Sequence, residues 1–135
     1  PILLIHTPYH HELFLFLLLT LKHAVCDLYL QSFLTINKRA YWGGWQHYVH
    51  HAIGTLAVLV WFCDPVIAIG LAVADGIAHW HIDWAKHRLL SWYETANGVG
   101  MESASRNNYW LVQALDQMLH FATYFILCLI VLGHS

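Results

Sequence analysis

Residues 13–27 read LFLFLLLTLKHAVCD, a strongly apolar run that becomes polar at Lys22, His23 and Asp27. A transmembrane helix needs about 20 mostly apolar residues, because the hydrocarbon core is about 30 Å thick and each helical residue rises 1.5 Å. Extended to residue 36, this segment reaches that length. We therefore predict that it crosses a membrane as a helix whose second half is polar.

The composition of the whole chain is unlike that of a water-soluble globular domain. Charged residues make up 10% of the 135 residues and hydrophobic residues 59%, whereas a soluble domain carries about 25% charge. The apolar content excludes a disordered chain, and a formal net charge of −2 without a basic run argues against nucleic-acid binding. Three cysteines without paired spacing predict neither a disulfide framework nor a cysteine zinc site.

Three further segments have the length and apolar character of a membrane span. The four predicted helices cover residues 13–36, 45–63, 65–92 and 109–132. Asp64 and Pro65 fit the N-cap and first position of the third helix, and the Gly-, Ser- and Asn-rich residues 94–108 fit one long loop. We predict an all-α, polytopic membrane protein in which residues 1–135 form a single domain, a four-helix bundle running up-down-up-down.

Each predicted helix has one apolar half and one polar half, and the order of the halves alternates along the chain. The first helix is polar in its second half, the second begins with QHYVHH (residues 46–51), the third becomes polar from Asp75, and the fourth is polar over residues 113–120. In an up-down-up-down bundle all four polar halves therefore lie on the same side of the membrane.

The cationic residues predict the orientation of the bundle. All six Lys and Arg residues lie toward the polar side, and the positive-inside rule makes that side cytoplasmic. Six of the seven tryptophans lie in the same half, as expected of an interfacial aromatic belt. We expect an integral protein of the bacterial inner (cytoplasmic) membrane with both termini outside.

Every predicted helix carries a pair of candidate metal ligands four residues apart, the spacing that places two side chains on one helix face. The pairs are His23/Asp27, His47/His51, His79/Asp83 and Asp116/His120. They lie about eight to ten residues, or roughly 12–15 Å, from the helix ends. Eight ligands suffice for two divalent ions with positions left for water or substrate, and mixed nitrogen and oxygen donors suit zinc, iron or manganese without distinguishing them.

The cost of burying charge favours a metal at these residues. An ionisable group in a helical span costs about 2.5–3.5 kcal/mol on insertion scales, and bound cations hold carboxylates ionised and imidazoles neutral. The alternative is purely structural, since polar side chains in membrane helices also hydrogen-bond between helices. Four pairs at one depth favour the metal site.

Supporting roles follow from the same helix faces. Gln31 and Asp75 lie one turn beyond a ligand pair and Gln117 neighbours Asp116, positions from which they would hydrogen-bond the ligands. An aspartate that the metals leave free, Asp75 or Asp116, is a candidate general base, and Lys86 is a candidate catalytic cation. The candidates for binding a substrate phosphate are Lys38, Arg88 and Arg106.

The remaining histidines are predicted to lie outside the ligand set. His50 and His81 point away from the ligand faces, and His87 is expected at the level of the lipid headgroups. Four terminal histidines are expected to be exposed on the opposite side: His6, His10, His11 and His134.

In these residues the sequence resembles a family of small, functionally uncharacterised membrane proteins of bacteria and their phages. The family pattern is His-x3-Asp-x3-Gln with a following Lys, then His-x3-His, His-x3-Asp-x2-Lys and Asp-Gln-x2-His on successive helices. The matching residues are His23, Asp27, Gln31, Lys38, His47, His51, His79, Asp83, Lys86, Asp116, Gln117 and His120. The family is similar to membrane-bound metal-dependent hydrolases, a resemblance that implies hydrolase activity; His50 and His81 are additions to its pattern.

Three classes of function remain open from the sequence. The first is a metal-dependent hydrolase acting on a lipid or another phosphate-bearing amphiphile at the cytoplasmic leaflet. The second is a di-iron lipid oxidase or desaturase-like enzyme, because His47-x-x-His50-His51 resembles one histidine box of those enzymes. The third is a non-enzymatic scaffold with a structural metal, acting as an oligomer or on a protein partner. A conduit is disfavoured because the outer halves of all four helices are apolar.

Overall fold

The computed structural model describes residues 8–34, 40–97 and 106–134, and over these ranges it consists of helices and turns without a strand. Helix α1 covers Pro8–Ala24, α2 Trp45–Leu59, α3 Pro65–Asn97 and α4 Arg106–Gly133. The chain continues from α1 through a π turn, Val25–Tyr29, and a 3-10 turn, Leu30–Phe33. The prediction of an all-α fold with four helices is confirmed.

The junction between α2 and α3 forms as the sequence predicts. The Asp64 carboxylate accepts a hydrogen bond from the Val66 N–H at 2.8 Å, which satisfies one of the free amides of the first turn. Pro65 is the first helical residue, where its missing N–H is not needed. The chain therefore reverses within a few residues and α3 returns alongside α2.

One end of the bundle is an apolar core. It contains Leu15 and Leu19 from α1, Leu59 from the end of α2, Ala68 from the start of α3, and the second half of α4, represented by Leu127. The start of one helix thus packs against the end of the next, which is the antiparallel arrangement of an up-down-up-down bundle. The polar halves consequently meet at the other end.

Three helical segments, rather than the predicted four, are long and apolar enough to cross a membrane. They are His10–Phe33, Pro65–Trp92 and Tyr109–Gly133, with 24, 28 and 25 residues. Helix α2 ends at Leu59 instead of residue 63 and has 15 residues, about 22 Å of helix. It is shorter because the chain must turn at residues 60–63 to begin α3 at Pro65.

Other helix boundaries also differ from the predicted ones. Helix α1 begins at Pro8 rather than residue 13, and its last helical turn ends at Phe33, with residues 35–39 outside the described part. The predicted loop 94–108 is shorter, since α3 continues to Asn97 and α4 begins at Arg106. The sequence ETAN (residues 94–97) contains neither Gly nor Pro, so nothing in it ends the helix before Gly98.

The outer surface of the bundle is apolar, as expected of helices that face lipid. Leu13, Leu17 and Val66 are 67%, 58% and 77% exposed, and Ile69 and Leu129 are more than half exposed. Soluble proteins rarely expose apolar surface this extensively. The surface and the three spans together identify a membrane protein.

Helices α2 and α3 approach each other closely at Gly76. A Cβ atom at this position would lie 3.0 Å from the Ala52 Cβ and 3.2 Å from the Tyr48 carbonyl oxygen. Small residues permit such approaches between membrane helices. This contact holds the polar half of α3 against the polar start of α2, where the histidines of both helices lie.

Candidate metal centre

The first helix presents its ligand pair at the point where α-helical geometry changes. His23 lies in the last turn of α1 and Asp27 in the middle of the π turn, Val25–Tyr29. Isolated π turns occur frequently at functional sites. Despite the wider turn, Asp27 Oδ2 remains 3.1 Å from His23 Nε2, so the predicted pair faces one common centre.

Asp27 is the centre of the first group of donors. Its Oδ1 atom lies 3.1 Å from His47 Nε2, 2.9 Å from His51 Nε2 and 3.6 Å from His79 Nε2. The Nε2 atoms of His47 and His79 are 3.2 Å apart. Three helices therefore supply four donor atoms that lie within 4.8 Å of one another.

Two more groups continue from the first and share residues with it. His79 belongs also to a group with His23 and His120, and His120 belongs to a third group with Asp83 and Asp116. The rings of His51 and His79 are stacked with centroids 3.5 Å apart, and those of His79 and His120 with centroids 4.1 Å apart. The three groups thus form one continuous file of donors, to which all four helical segments contribute.

The structure brings together every residue predicted as a metal ligand. The eight residues of the donor file, as we call this set, are His23, Asp27, His47, His51, His79, Asp83, Asp116 and His120. Seven of them are buried, and Asp27 is the exception, with a side chain 22% exposed. The file is therefore closed to solvent except at Asp27. Their role as ligands stays a prediction, since the geometry shows convergence and not an ion.

The spacing of the donors fits metal coordination. With metal–ligand bonds of about 2.0–2.2 Å in a tetrahedral site, neighbouring ligand atoms are roughly 3.3 Å apart. The measured separations around Asp27 are 2.9–3.6 Å, and His120 Nε2 lies 3.4 Å from Asp83 Oδ1 and 3.5 Å from Asp116 Oδ1. Donor atoms at these separations could serve as ligands of a common ion.

Buried polar atoms without hydrogen bonds give a second test of the fit. Several buried donor atoms lack a well-oriented hydrogen bond within the described part of the chain, among them His23 Nε2, His120 Nε2 and Asp116 Oδ1, although carboxylate oxygens lie 3.1–3.5 Å from the two nitrogens. Such atoms are rare because each loses its hydration without replacement. These three point into the donor file, where a cation, or a proton in the case of Asp116, would occupy the missing direction.

A second polar layer lies behind the donor file, toward the apolar core. Lys22 Nζ donates to Asp75 Oδ2 at 2.8 Å and to the Tyr124 hydroxyl at 3.1 Å, and Thr55 donates to the same Asp75 oxygen. Lys22 and Asp75 side chains are 6% and 2% exposed. These four residues form the Lys22 network, a buried ion pair with two hydroxyl groups.

The Lys22 network contacts two histidines of the donor file on their far sides. Tyr124 Oη lies 2.8 Å from His23 Nδ1, and Lys22 Nζ lies 3.5 Å from His51 Nδ1. Because both contacts are made to Nδ1, the Nε2 atoms of His23 and His51 face the donor file. Partners of this kind fix ring orientation in metal sites.

The sequence interpretation missed Lys22, Thr55 and Tyr124 as residues of the candidate site, although a signal for two of them exists. Thr55 follows His51 by four residues and Tyr124 follows His120 by four residues. Continuing each ligand face by one helical turn finds both. Asp75, predicted as a general base or supporting residue, precedes His79 by the same spacing and is held by Lys22.

The other end of the donor file carries the cationic side chain of Lys86, whose catalytic role stays a prediction. Its Nζ lies 3.0 Å from Asp116 Oδ2 and 3.8 Å from Asp83 Oδ1. The predicted neighbour Gln117 also donates to Asp116 Oδ2, at 3.1 Å. The two oxygens of Asp116 therefore differ, since Oδ2 is bound by both side chains and Oδ1 faces His120.

The structure does not join the remaining predicted residues to the file, and two of them fall outside its described part. The Gln31 side chain forms no hydrogen bond to the described residues, and Arg88 is exposed on the surface of α3. Lys38 lies outside the described part, as does the side chain of Arg106. Their predicted roles stay predictions.

The histidines predicted to lie off the ligand faces do so in the structure. His50 and His81 belong to none of the donor groups found in the described ranges. His81 is exposed and bonds to the Ile77 carbonyl at 2.8 Å and the Tyr41 hydroxyl at 3.2 Å. His10, His11 and His134 are exposed at the opposite end, and His6 is outside the described residues.

Removing the Tyr124 hydroxyl should weaken metal binding without leaving a cavity in the bundle core, because the aromatic ring stays in place. Tyr124→Phe deletes the contact to His23 Nδ1 and the acceptor for Lys22. Loss of an outer hydrogen bond to a ligand typically reduces metal affinity about 10- to 100-fold. Competition with a chelator of known affinity measures the change. Tyr48→Phe is the matched control, because the residue is also buried but its hydroxyl bonds to none of the described residues.

The fold and the centre together define a helical membrane protein with a buried cluster of histidine and aspartate donors. The chain belongs to the family described as protein of unknown function (DUF3307), whose model matches residues 14–135. No match was found among the curated proteins or among the solved structures. The matched region includes the whole donor file and the Lys22 network.

Proposed function

We propose that this protein is a membrane-embedded, metal-dependent hydrolase of a lipid or another amphiphile that carries a phosphate group. The observation that supports the proposal best is the donor file itself, in which eight His and Asp side chains converge and buried atoms such as His120 Nε2 lack a well-oriented hydrogen bond within the described residues. Two divalent cations, zinc, iron or manganese, fit the number and type of donors. Similarity of the family to metal-dependent hydrolases, noted from the sequence, supports the same proposal.

Bound cations would polarise a phosphoryl oxygen and lower the pKa of a water molecule. The protein supplies charge and proton acceptors around that chemistry. Lys86, 3.0 Å from Asp116 Oδ2, places a positive charge beside the file, where it would bind the phosphate. Asp116 would accept a proton from the attacking water as the carboxylate that the metals leave free, with the other seven donors holding the ions.

The overall reaction then balances as a hydrolysis. The water oxygen forms a bond to phosphorus, the bond from phosphorus to the lipid oxygen breaks, one proton goes to Asp116 and the leaving oxygen takes one from Lys86. Asp75 is a weaker candidate for the base than Asp116, because Lys22 and Thr55 already bind its Oδ2. Proton transfer by a positioned side chain contributes typically 10²–10⁴-fold.

The oxidase alternative is less well supported by the arrangement of the second helix. The histidine box of such enzymes requires His47, His50 and His51 together. His50 lies outside the donor groups of the described residues, and its carbonyl accepts a hydrogen bond from the Cys26 thiol. His47 and His51 alone face the file. The placement of the file at the cytoplasmic leaflet of the inner membrane, with both termini outside, is part of the proposal and depends on the positive-inside rule.

The proposal is tested with purified protein in nanodiscs made from a bacterial phospholipid extract. Protein loaded with zinc or manganese should release phosphate or a phosphorylated headgroup, and a chelator should stop the release. Asp83→Asn should abolish it, while His81→Gln, an exposed histidine on the same helix, should not. Bound iron with a visible absorption band and oxygen uptake would instead support the oxidase, and metal without either product would leave a scaffold with a structural metal.

A further inference from the structure

An apolar groove of about 380 Å³ lies between the first helical segment and α2, on the outer face of the bundle. It extends from Leu18 and Val58, in the apolar half, to Leu30 and His50, in the polar half. The side of the bundle in which it lies faces lipid, because α1 belongs to the membrane span His10–Phe33. The groove therefore opens laterally to the hydrocarbon of the bilayer.

The groove has the length of a single lipid chain in one leaflet. Leu18 and Leu30 are separated by twelve residues, roughly 18 Å along a helix. One leaflet contributes about 15 Å to a hydrocarbon core of about 30 Å. A chain lying in the groove would have its end near Leu18 and its head near Leu30, in the polar half of the bundle.

The floor of the groove is the back of the Lys22 network. Gly54 lies under the Lys22 stem, and a Cβ atom at this position would be 2.7 Å from Lys22 Cγ and 3.6 Å from Cys26 Sγ. The glycine therefore lets the Lys22 stem cross between the helices to reach Asp75. Only apolar atoms of the stem line the groove wall, since its ammonium is bound inside the bundle.

The polar end of the groove lies beside the most exposed member of the donor file. Val25, Cys26 and Leu30 line the groove, and Asp27, in the same π turn, is 22% exposed while the other seven donors are at most 5% exposed. Asp27 does not itself line the groove, but it follows the groove residues Val25 and Cys26 in the chain and is the donor most accessible to a headgroup at this end.

We infer that the groove binds one acyl or isoprenyl chain of the substrate and that the substrate enters from the membrane between α1 and α2, with its phosphate headgroup reaching the donor file past Asp27. This inference rests on the proposed function and makes the substrate class specific: a membrane lipid whose hydrocarbon chain stays in the bilayer during the reaction. A free phosphate ester without a chain does not use the groove.

The test is photolabelling in nanodiscs with a phosphatidylglycerol that carries a diazirine in the middle of one acyl chain. Residues 18–30 and 50–58 should be labelled more strongly than the lipid-facing surfaces of α3 and α4. Ile53→Trp, at a groove position that is 59% exposed, should reduce the groove labelling severalfold. Ile77→Trp is the matched control, because Ile77 on α3 is similarly exposed, at 50%, but does not line the groove. This variant should leave the groove labelling unchanged.

Metal content measured on the same samples separates the groove from the proposed chemistry. Groove labelling lost in Ile53→Trp with metal content unchanged supports the inference. Labels spread evenly over all lipid-facing helices, unchanged labelling in Ile53→Trp, or cross-links to a second copy of the chain at the groove would each overturn it. Groove labelling in protein that binds no metal would support the chain-binding groove and contradict the hydrolase.

Discussion

Replacing Asp75 with Asn should lower the stability of the bundle by about 3–5 kcal/mol, the usual cost of removing one partner from a buried ion pair. The substitution keeps the size of the side chain and an acceptor for Thr55 but leaves the Lys22 ammonium without its counter-charge, 2.8 Å away and 6% exposed. Lys22→Met should have a comparable effect, since it leaves the carboxylate uncompensated. Thermal or denaturant unfolding in detergent, followed by helical circular dichroism, measures the loss.

The double variant Lys22→Met/Asp75→Asn distinguishes charge burial from lost packing. Removing both charges together avoids the uncompensated partner, so the double variant should be more stable than either single variant. If the stability loss of the double variant equals the sum of the losses of the two single variants, the ion pair does not hold the helices together as described. The exposed residue Arg88 supplies a control, since Arg88→Met should change stability little.

The variant Asp27→Asn/Asp83→Asn should lose most of its bound metal. The two carboxylates belong to different groups of the donor file, and an amide supplies a neutral, weaker ligand to a divalent cation. We expect at least a tenfold loss of affinity, as found when even the supporting groups of a metal site are removed. The neutral amides keep the side-chain size and remove one buried and one partly buried charge, so the variant should fold.

The control for this variant is His81→Gln/His134→Gln. Both histidines are exposed, and each bonds through Nδ1 to the carbonyl four residues earlier, at 2.8 Å. Their removal changes the number of histidines but not the donor file. Equal metal loss in both double variants would show that binding is nonspecific, and retention in both would contradict the assignment of the aspartates.

The convergence of the donors was predictable because helical periodicity is a strong constraint. A spacing of four residues places His79 and Asp83 on one face whatever the tertiary structure, and the alternation of polar and apolar halves brings the four faces to one end of an antiparallel bundle. These two features suffice to predict the donor file as a set. They do not predict which donors are neighbours within the file, because that depends on side-chain distances such as the one between His120 and Asp83.

The role of Lys22 was not predictable in the same way. Its partner Asp75 lies 53 positions further along the chain, and the pairing depends on the small volume of Gly54, which admits the Lys22 stem. The π turn at Asp27 leaves no clear pattern in the sequence either. The length of α2 was overestimated because the residues WFC (61–63) are as apolar as a span but form the turn before Asp64.

The most direct test of the account is elemental analysis of the wild-type protein, purified in detergent without chelators or added metal. The account predicts one to two equivalents of zinc, iron or manganese per chain, removed by a chelator and restored by dialysis against the ion. A folded, unstripped protein with no bound transition metal would contradict it, and would leave the eight residues of the donor file as hydrogen-bonding contacts between helices.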